Sequence, residues 1–402
     1  MTRFPHDNLA EELRSAYPEL AAVREAADDP VYLVGGAIRD LLLGRGRSEN
    51  LDLVVEGDAV ALAGRLGAEV LEHERFGTAT VRLDGLEIDV AAARTETYPH
   101  PGALPEVSSG ASVEDDLARR DFTVNAMAIP IEAGPGEAGA TAGGGLIDPA
   151  GGEADLAAGL LRVLHPRSFV DDPTRALRAA RYAARLGLSL EPETEELLRA
   201  TDLEAISADR RDAELLRLAA EPTAPRGFEL LAGWGLVEPP PDGIELAARV
   251  AELLATPPWR DLAPTAPTVL RAALGSAATG GGSDGHEREL ATAEPASPSE
   301  AVALASRHEP EELALARALG AEWLDRWIAE WRDVALVIDG ADLIEAGLPE
   351  GPALGRGLAE ALRRKLDGEL APGRSAELEA AIAAARDDTG AGGESRGVDG
   401  LA

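Results

Sequence analysis

The chain has 402 residues, 45% of them hydrophobic and 27% charged, enough to bury more than one core. Its formal net charge of −34 excludes indiscriminate attraction to a nucleic-acid backbone, and the absence of cysteine excludes disulfides and thiolate metal sites. No apolar run reaches the length of a membrane span, and Met1 to Asn8 has no signal-peptide pattern, so the expectation is a cytoplasmic protein with no membrane partner.

In chain order, Leu9 to Ala27 reads as one amphipathic helix, with Leu13, Leu20 and Val23 on its apolar side. Val31 to Val34 reads as a short buried strand. Gly35 and Gly36 then allow a sharp turn, and Ala37 to Leu43 has a helical pattern. A glycine turn that opens a helix presents free N–H groups and suits a phosphate. The next strand, Asn50 to Val55, carries Asn50 and Asp52 two residues apart and therefore on one face. Two oxygen ligands beside a phosphate cradle suggest Mg²⁺ and a nucleoside triphosphate. The same residues would also suit an ordinary tight turn and a solvated strand end.

Asp58 is placed to cap a helix running to Leu66, and Val70-Leu71 starts a further strand. Thr78 to Leu83 alternates as a strand, Asp84-Gly85 makes a hairpin turn, and Leu86 to Val90 returns. Asp89 is then a third oxygen ligand, a carboxylate near a strand end, or simply a solvated residue there. Tyr98 to Gly110 reads as a Pro/Gly-rich loop. Arg119, Arg120 and Asp121 precede an apolar helix or strand that holds Asn125. They could clamp a triphosphate and a ribose, or form a surface ion-pair cluster. Ala133 to Gly145 is a Gly/Ala insertion expected to be a disordered loop.

From Asp172 onward the pattern is helical. Asp172-Pro173 suits a helix start, and Arg175, Arg178, Arg181 and Arg185 follow on one face. The stretch from Gly159 to Leu190 is locally basic inside an acidic chain. Almost every basic residue is arginine, which favours planar, bidentate contacts to phosphates and base edges. Further helices are expected at Pro192–Arg199, Asp209–Ala219, Arg226–Trp234, Glu311–Trp331, Pro352–Leu366 and Ala376–Arg386, with Gly275–Ser299 as a flexible link. Trp323, Trp327 and Trp331 form a stripe read as core, with base stacking as the other option.

Four segments occur in an order that resembles the class II tRNA nucleotidyltransferases, the group of bacterial CCA-adding enzymes and poly(A) polymerases. They are Gly35–Asp40, the Asn50–Asp52 pair, Arg119–Ala126 and Asp171–Arg178. The resemblance is strongest over residues 31–235. Ile338–Leu343 and Lys365–Gly368 also look like the C-terminal helical region of bacterial members.

The resemblance implies an α+β chain, a small mixed-sheet nucleotidyltransferase head followed by an all-helical neck, body and tail. It places a catalytic head at 1–165, a neck with the base-reading motif and RNA-binding helices at 166–240, a body and tail at 241–387, and a disordered tail at 388–402. It implies that Gly35, Gly36 and Arg39 serve the triphosphate, that Asp52 and Asn50 bind Mg²⁺, and that Asp89 is the third strand carboxylate. Arg119, Arg120, Asp121 and Asn125 would hold sugar and triphosphate. Asp172 and Arg175, with Arg178 beside them, would read the base edge of CTP or ATP. Arg178, Arg181 and Arg185 would meet the tRNA. The implied activity is template-independent addition of C, A or both to the tRNA 3′ end, with poly(A) synthesis as the alternative.

The family's first metal-binding aspartate stands here as Asn50, a neutral oxygen ligand. That substitution opens a second alternative, a tRNA- or nucleotide-binding homologue with weakened catalysis. Asp171 replaces the glutamate common at the start of the base-reading motif. Nothing in the sequence sets an oligomeric state.

Overall fold

The computed structural model describes residues 9–66, 69–73, 77–131, 145–275 and 285–387. The chain forms two compact units that divide between Glu238 and Pro239. The expected loop at Ala133–Gly145 (Gly145 apart) and the expected tail from Asp388 lie outside the described residues.

The first unit opens with α1 (Leu9–Ala16) and α2 (Leu20–Ala26). The single helix expected over Leu9–Ala27 is thus two, because Pro18 lacks the N–H that a continuous ladder needs. There follow β1 (Val31–Val34), α3 (Gly36–Leu42), β2 (Asn50–Val55) and α4 (Ala59–Arg65). Asp58 caps α4 as expected, accepting from Val60 N and Ala61 N, both at 3.0 Å.

The sheet continues with β3 (Glu69–His73), β4 (Thr78–Leu83) and β5 (Leu86–Ala92), the last two joined by the Asp84-Gly85 turn. Both turn residues have positive φ, 49° and 87°, as a tight hairpin requires. The hairpin β6 (Arg94–Thr97) and β7 (Glu106–Ser109) comes next. The loop expected over Tyr98–Gly110 therefore ends early: Glu106–Ser109 pairs with a partner strand that has no strong alternation of its own.

Next come α5 (Val113–Ala118), a 3₁₀ turn at Thr123–Asn125, and β8 (Ala128–Pro130). The strand order of the six-stranded sheet is β3-β4-β5-β2-β1-β8. Only the β2–β5 pair in it is parallel. Leu51 and Leu53 of β2 face the core while Asn50 and Asp52 face out, the two-residue period of a half-buried strand.

Helical elements complete the unit: α6 (Gly152–Ala158), the short strand β9 (Leu160–Leu161), α7 (Ser168–Asp171) and α8 (Thr174–Leu186). After β10 (Ser189–Leu190), paired with β9, come α9 (Pro192–Arg199), α10 (Ala208–Ala219) and α11 (Ala224–Gly233). Asp172 lies two residues before α8 and accepts from Thr174 N at 3.1 Å.

The second unit is helical among its described residues. It contains α12 (Gly243–Leu253), α13 (Trp259–Leu262), α14 (Thr265–Leu274), α15 (His286–Thr292), α16 (Pro298–Ala305) and α17 (Pro310–Leu319). It ends in α18 (Trp323–Arg326), a π-helical turn (Trp327–Trp331), α19 (Gly340–Glu345), α20 (Pro352–Leu366) and α21 (Arg374–Asp387). The flexible link expected over Gly275–Ser299 is corrected in part: its second half holds α15 and the start of α16, while 276–284 lie outside the described residues.

The expected helix Glu311–Trp331 breaks at Gly320 and finishes in the π turn. Trp327 of its stripe is buried. Trp323 and Trp331 are half-buried, and Arg326 stacks on Trp331 at 4.7 Å. In α20, Gly357 has the approach of α21 as its reason, since a Cβ there would stand 2.5 Å from Ala381 O.

Candidate nucleotide-binding site

Strand register builds the site. Val34, the last residue of β1, lies opposite Asp52 on one side and Ala128 on the other. The turn at Gly35 is therefore delivered between the outward face of β2 and the Thr123–Asn125 turn. Gly35 has φ 71°. A Cβ there would stand 3.2 Å from Arg120 Nη1 and 3.8 Å from Asp52 Oδ2, so only glycine lets the three close up.

A polar chain runs outward from that turn. Arg39, buried at 3% exposure, donates from Nη1 to Asn125 Oδ1 (2.6 Å) and is held by Asp40 Oδ1 (3.0 Å). Asn125 Nδ2 donates to Asp121 Oδ1 (3.0 Å). Arg178, reaching over from α8, donates to Asp121 Oδ2 from Nε (2.8 Å) and Nη2 (2.6 Å). Burial would raise the Asp121 carboxyl, but Arg178 and the Asn125 hydrogen bond outweigh it and hold it below the ordinary range. Arg178 itself is held charged: its burial is outweighed by Asp121.

A second set fixes the paired arginines. Asp116 on α5 is fully buried. It accepts from Arg119 Nε (2.9 Å) and Nη2 (2.7 Å) and from Arg120 Nη2 (3.0 Å). Arg119 Nη1 also donates to Glu96 (2.8 Å). Arg175, buried at 5% exposure, donates to Ser168 Oγ and to Arg119 O, both at 2.7 Å. Asp172 Oδ1 accepts from Thr174 Oγ1 (2.6 Å) and Arg210 Nη2 (2.9 Å), and among the described residues its Oδ2 accepts from none. Tyr98 lies among them. Burial, opposed by Arg175 and reinforced by Glu96, pushes its phenol up to about 12.

These residues enclose a cleft of about 570 Å³. It gathers Gly35, Gly36, Arg39, Asn50, Asp52, Arg119, Arg120, Asp121, Asn125, Asp172, Arg175, Arg178, Arg181 and Arg185. Of the candidates from sequence, Asp89 alone lies elsewhere. It faces an adjoining cleft of about 410 Å³ that shares Asp52, Arg119 and Arg120 with the first. The parallel β2–β5 register sets Asp89 beside Asp52, and Thr80 Oγ1 donates to Asp89 Oδ1 (2.6 Å).

Asp52 faces out into the cleft, with Arg120 and Asp89 near it. Burial pushes its carboxyl up, with Arg120 opposing and the neighbouring Asp89 adding to the rise. Asn50, Asp52 and Asp89 together offer the hard oxygen donors of a divalent-cation site, and a cation would relieve the crowding of the two carboxylates.

The arginine face of α8 is not bare. Arg181 stands 3.8 Å from Glu214 and 3.7 Å from Glu221, and Arg185 stands 3.6 Å from Glu221 and 3.9 Å from Asp40. Three guanidiniums surround the Tyr182 ring, from Arg39, Arg178 and Arg181, at 5.6, 5.5 and 4.7 Å.

Sequence reasoning missed Asp116, Glu96, Tyr182, Arg210 and Glu214. Asp116 had a signal, its three- and four-residue spacing before the arginine pair. Tyr182 had one too, four residues after Arg178. The others come from distant elements and had none.

Known proteins resemble this chain in sequence and in fold. Residues 31–162 match the Poly A polymerase head domain. A CC-adding tRNA nucleotidyltransferase from Deinococcus radiodurans is 36% identical over 374 residues, covering 89% of this chain and 89% of that protein. The chain belongs to the class II tRNA nucleotidyltransferase family.

An A-adding tRNA nucleotidyltransferase from Halalkalibacterium halodurans is 42% identical over 212 residues, 50% of this chain and 48% of the relative. Against the A-adding relatives from that organism and from Aquifex aeolicus, the match spans about half of their length or less, 48% and 20%. Among solved structures, an apo CCA-adding enzyme aligns with a TM-score of 0.76 at 27% identity, covering 93% of this chain and 98% of that one. A Thermotoga maritima CCA-adding enzyme complexed with tRNA aligns at 0.67 and 27% identity, covering 95% and 99%. No helix among the described residues is long and apolar enough to cross a membrane.

Proposed function

We propose that this chain is a template-independent RNA nucleotidyltransferase. In this reading it adds C, A or both to the 3′ end of tRNA in the cytoplasm, using CTP and ATP with Mg²⁺. The observation that carries the reading is the single cleft in which the Gly35 turn, Asp52 and a set of fixed arginines converge.

Gly35 and Gly36 bring bare backbone to the triphosphate, and Arg119 and Arg120, aimed by Asp116, meet its charge. Asp121 and Asn125, locked to each other and to Arg178 and Arg39, present a rigid edge to the ribose. Asp172 has one oxygen committed to Thr174 and Arg210, which orients the other toward a base edge. Arg175 supplies the complementary donor, so the protein can stand in for a template.

Asp52 and Asn50, with Asp89 beside them, would hold Mg²⁺, which supplies Lewis-acid activation of the RNA 3′-hydroxyl and the α-phosphate. The 3′-oxygen, giving up its proton to solvent, attacks the α-phosphorus in line; a new P–O bond forms, the bond from the α-phosphorus to the oxygen it shares with the β-phosphate breaks, and pyrophosphate leaves. The arginines stabilise the charge that develops on the departing group.

A second reading is favoured by Asn50. An amide oxygen brings no charge to the metal and accepts no proton, so binding of tRNA and nucleotide would persist with little turnover.

One experiment separates the readings: labelling of tRNA lacking its CCA end with CTP, ATP or both, beside generic RNA, for the natural protein and Asn50→Asp. The expected result is Mg²⁺-dependent labelling of tRNA by both. Asn50→Asp is expected to be faster, by up to the order of 10²–10⁴ that one lost carboxylate can cost. The label pattern names the product, and labelling of generic RNA would name a poly(A) polymerase. Activity in Asn50→Asp alone moves the assignment to RNA binding, and silence in both overturns it.

A further inference from the structure

A cluster outside the nucleotide cleft is unexplained by nucleotidyl transfer. In the second unit, two of the chain's six histidines converge on one carboxylate. His286 is the first residue of α15, His308 lies just before α17, and Glu312 is in the first turn of α17. His286 Nδ1 is 3.3 Å from Glu312 Oε1, and His308 Nδ1 is 3.1 Å from Glu312 Oε2. The ligand atoms of all three lie within 4.8 Å of one another.

We propose that His286, His308 and Glu312 bind a Zn²⁺ ion that ties α15 to the start of α17. Two imidazoles and one carboxylate are a donor set that zinc takes readily and magnesium does not. The spacing fits as well. Bonds of about 2.0–2.1 Å in a tetrahedron place neighbouring ligand atoms about 3.3 Å apart. Each nitrogen lies at about that distance from one oxygen of the same carboxylate, His286 from Oε1 and His308 from Oε2, so an ion shared by all three needs only a rotation of the carboxylate or a grip by both oxygens.

The surroundings suit a held ligand. Glu309 N donates to Glu312 Oε2 (3.3 Å), fixing the carboxylate from outside the donor set. The nearest opposing charge, Arg271, stands 3.8 Å from Glu312 and is engaged by Glu287 at 3.1 Å. His286 is 53% exposed, which leaves a way in for the ion and room for a water as fourth ligand.

The test uses the full chain, stripped with a chelator and titrated with Zn²⁺ against a chromophoric competitor. Asp52→Asn is run in parallel so that zinc held in the nucleotide cleft is counted apart. The expected result is one equivalent that persists in Asp52→Asn. It should weaken on the order of 100-fold or more in His286→Gln and in His308→Gln. His286 is exposed enough that its replacement leaves the fold intact, and circular dichroism checks this. Cobalt substitution should add visible absorption bands of a near-tetrahedral N/O site, lost in the same two variants. Equal zinc binding in the histidine variants and the natural protein would overturn the proposal, as would no bound equivalent at micromolar Zn²⁺.

Discussion

Replacing Asp116 with asparagine tests whether the paired arginines are held or merely present. Asp116 has no exposed surface and takes three hydrogen bonds from two guanidiniums, at 2.7, 2.9 and 3.0 Å. Asparagine keeps the shape but leaves two positive groups without their buried counter-charge. Breaking such a pair costs about 3–5 kcal/mol. Arg119 keeps Glu96 at 2.8 Å, which sets the expectation at the lower end, about 3 kcal/mol.

For a unit the size of the first one, each kcal/mol moves the melting temperature by about 2–4 °C, so the fall should be about 6–12 °C. Affinity for ATP or CTP, measured by calorimetry well below both melting points, should fall about tenfold, or 1.4 kcal/mol. Glu96→Gln leaves all three bonds to Asp116 in place and should lose less on both counts. A lowered melting temperature with unchanged nucleotide affinity would refute the positioning role. An unchanged melting temperature would refute the energetics as well.

Three other outcomes follow from the same geometry. Gly35→Ala forces a side chain onto a positive-φ backbone (φ 71°, ψ −124°) that suits only glycine, costing about 1–3 kcal/mol, and sets a methyl 3.2 Å from Arg120 Nη1. Nucleotide affinity should drop well below that of Gly36→Ala, whose methyl meets only Arg39 Nη2 at 3.5 Å, and equal affinities would refute the close approach. Asp121 has a carboxyl lowered from 3.8, so its contribution to stability is fully present above that pH and is lost as pH falls through the folded value. Asp121→Asn should therefore lower stability at neutral pH and flatten its loss below about pH 4, read from urea midpoints across pH. Arg185, 41% exposed at the end of α8, is the arginine of that face most open to RNA. Arg185→Ala should weaken tRNA binding evenly across sequences and reduce the salt slope by about 1, and an unchanged slope would remove it from the RNA face.

Local sequence determined the parts that depend only on neighbours along the chain. The Asp58 cap, the Asp84-Gly85 hairpin, the outward pair Asn50 and Asp52 and the bounds of α20 were all legible, since each rests on a spacing or a backbone preference. The family resemblance was legible for the same reason: its four motifs are short and ordered.

Tertiary structure decided what meets what. Register between β1, β2 and β8 brings Gly35, Asp52 and Asn125 together from three separate segments. The packing of α8 sets Arg178 on Asp121, 57 residues away, and turns a run of arginines that reads as a free basic face into a set of internal ion pairs. The parallel pairing of β5 with β2 places Asp89 next to Asp52 but in the adjoining cleft. Side-chain spacing along one strand or helix is fixed by the backbone period, whereas a contact between distant elements exists only once apolar burial has chosen their register, and the charges of this site were sorted at that step.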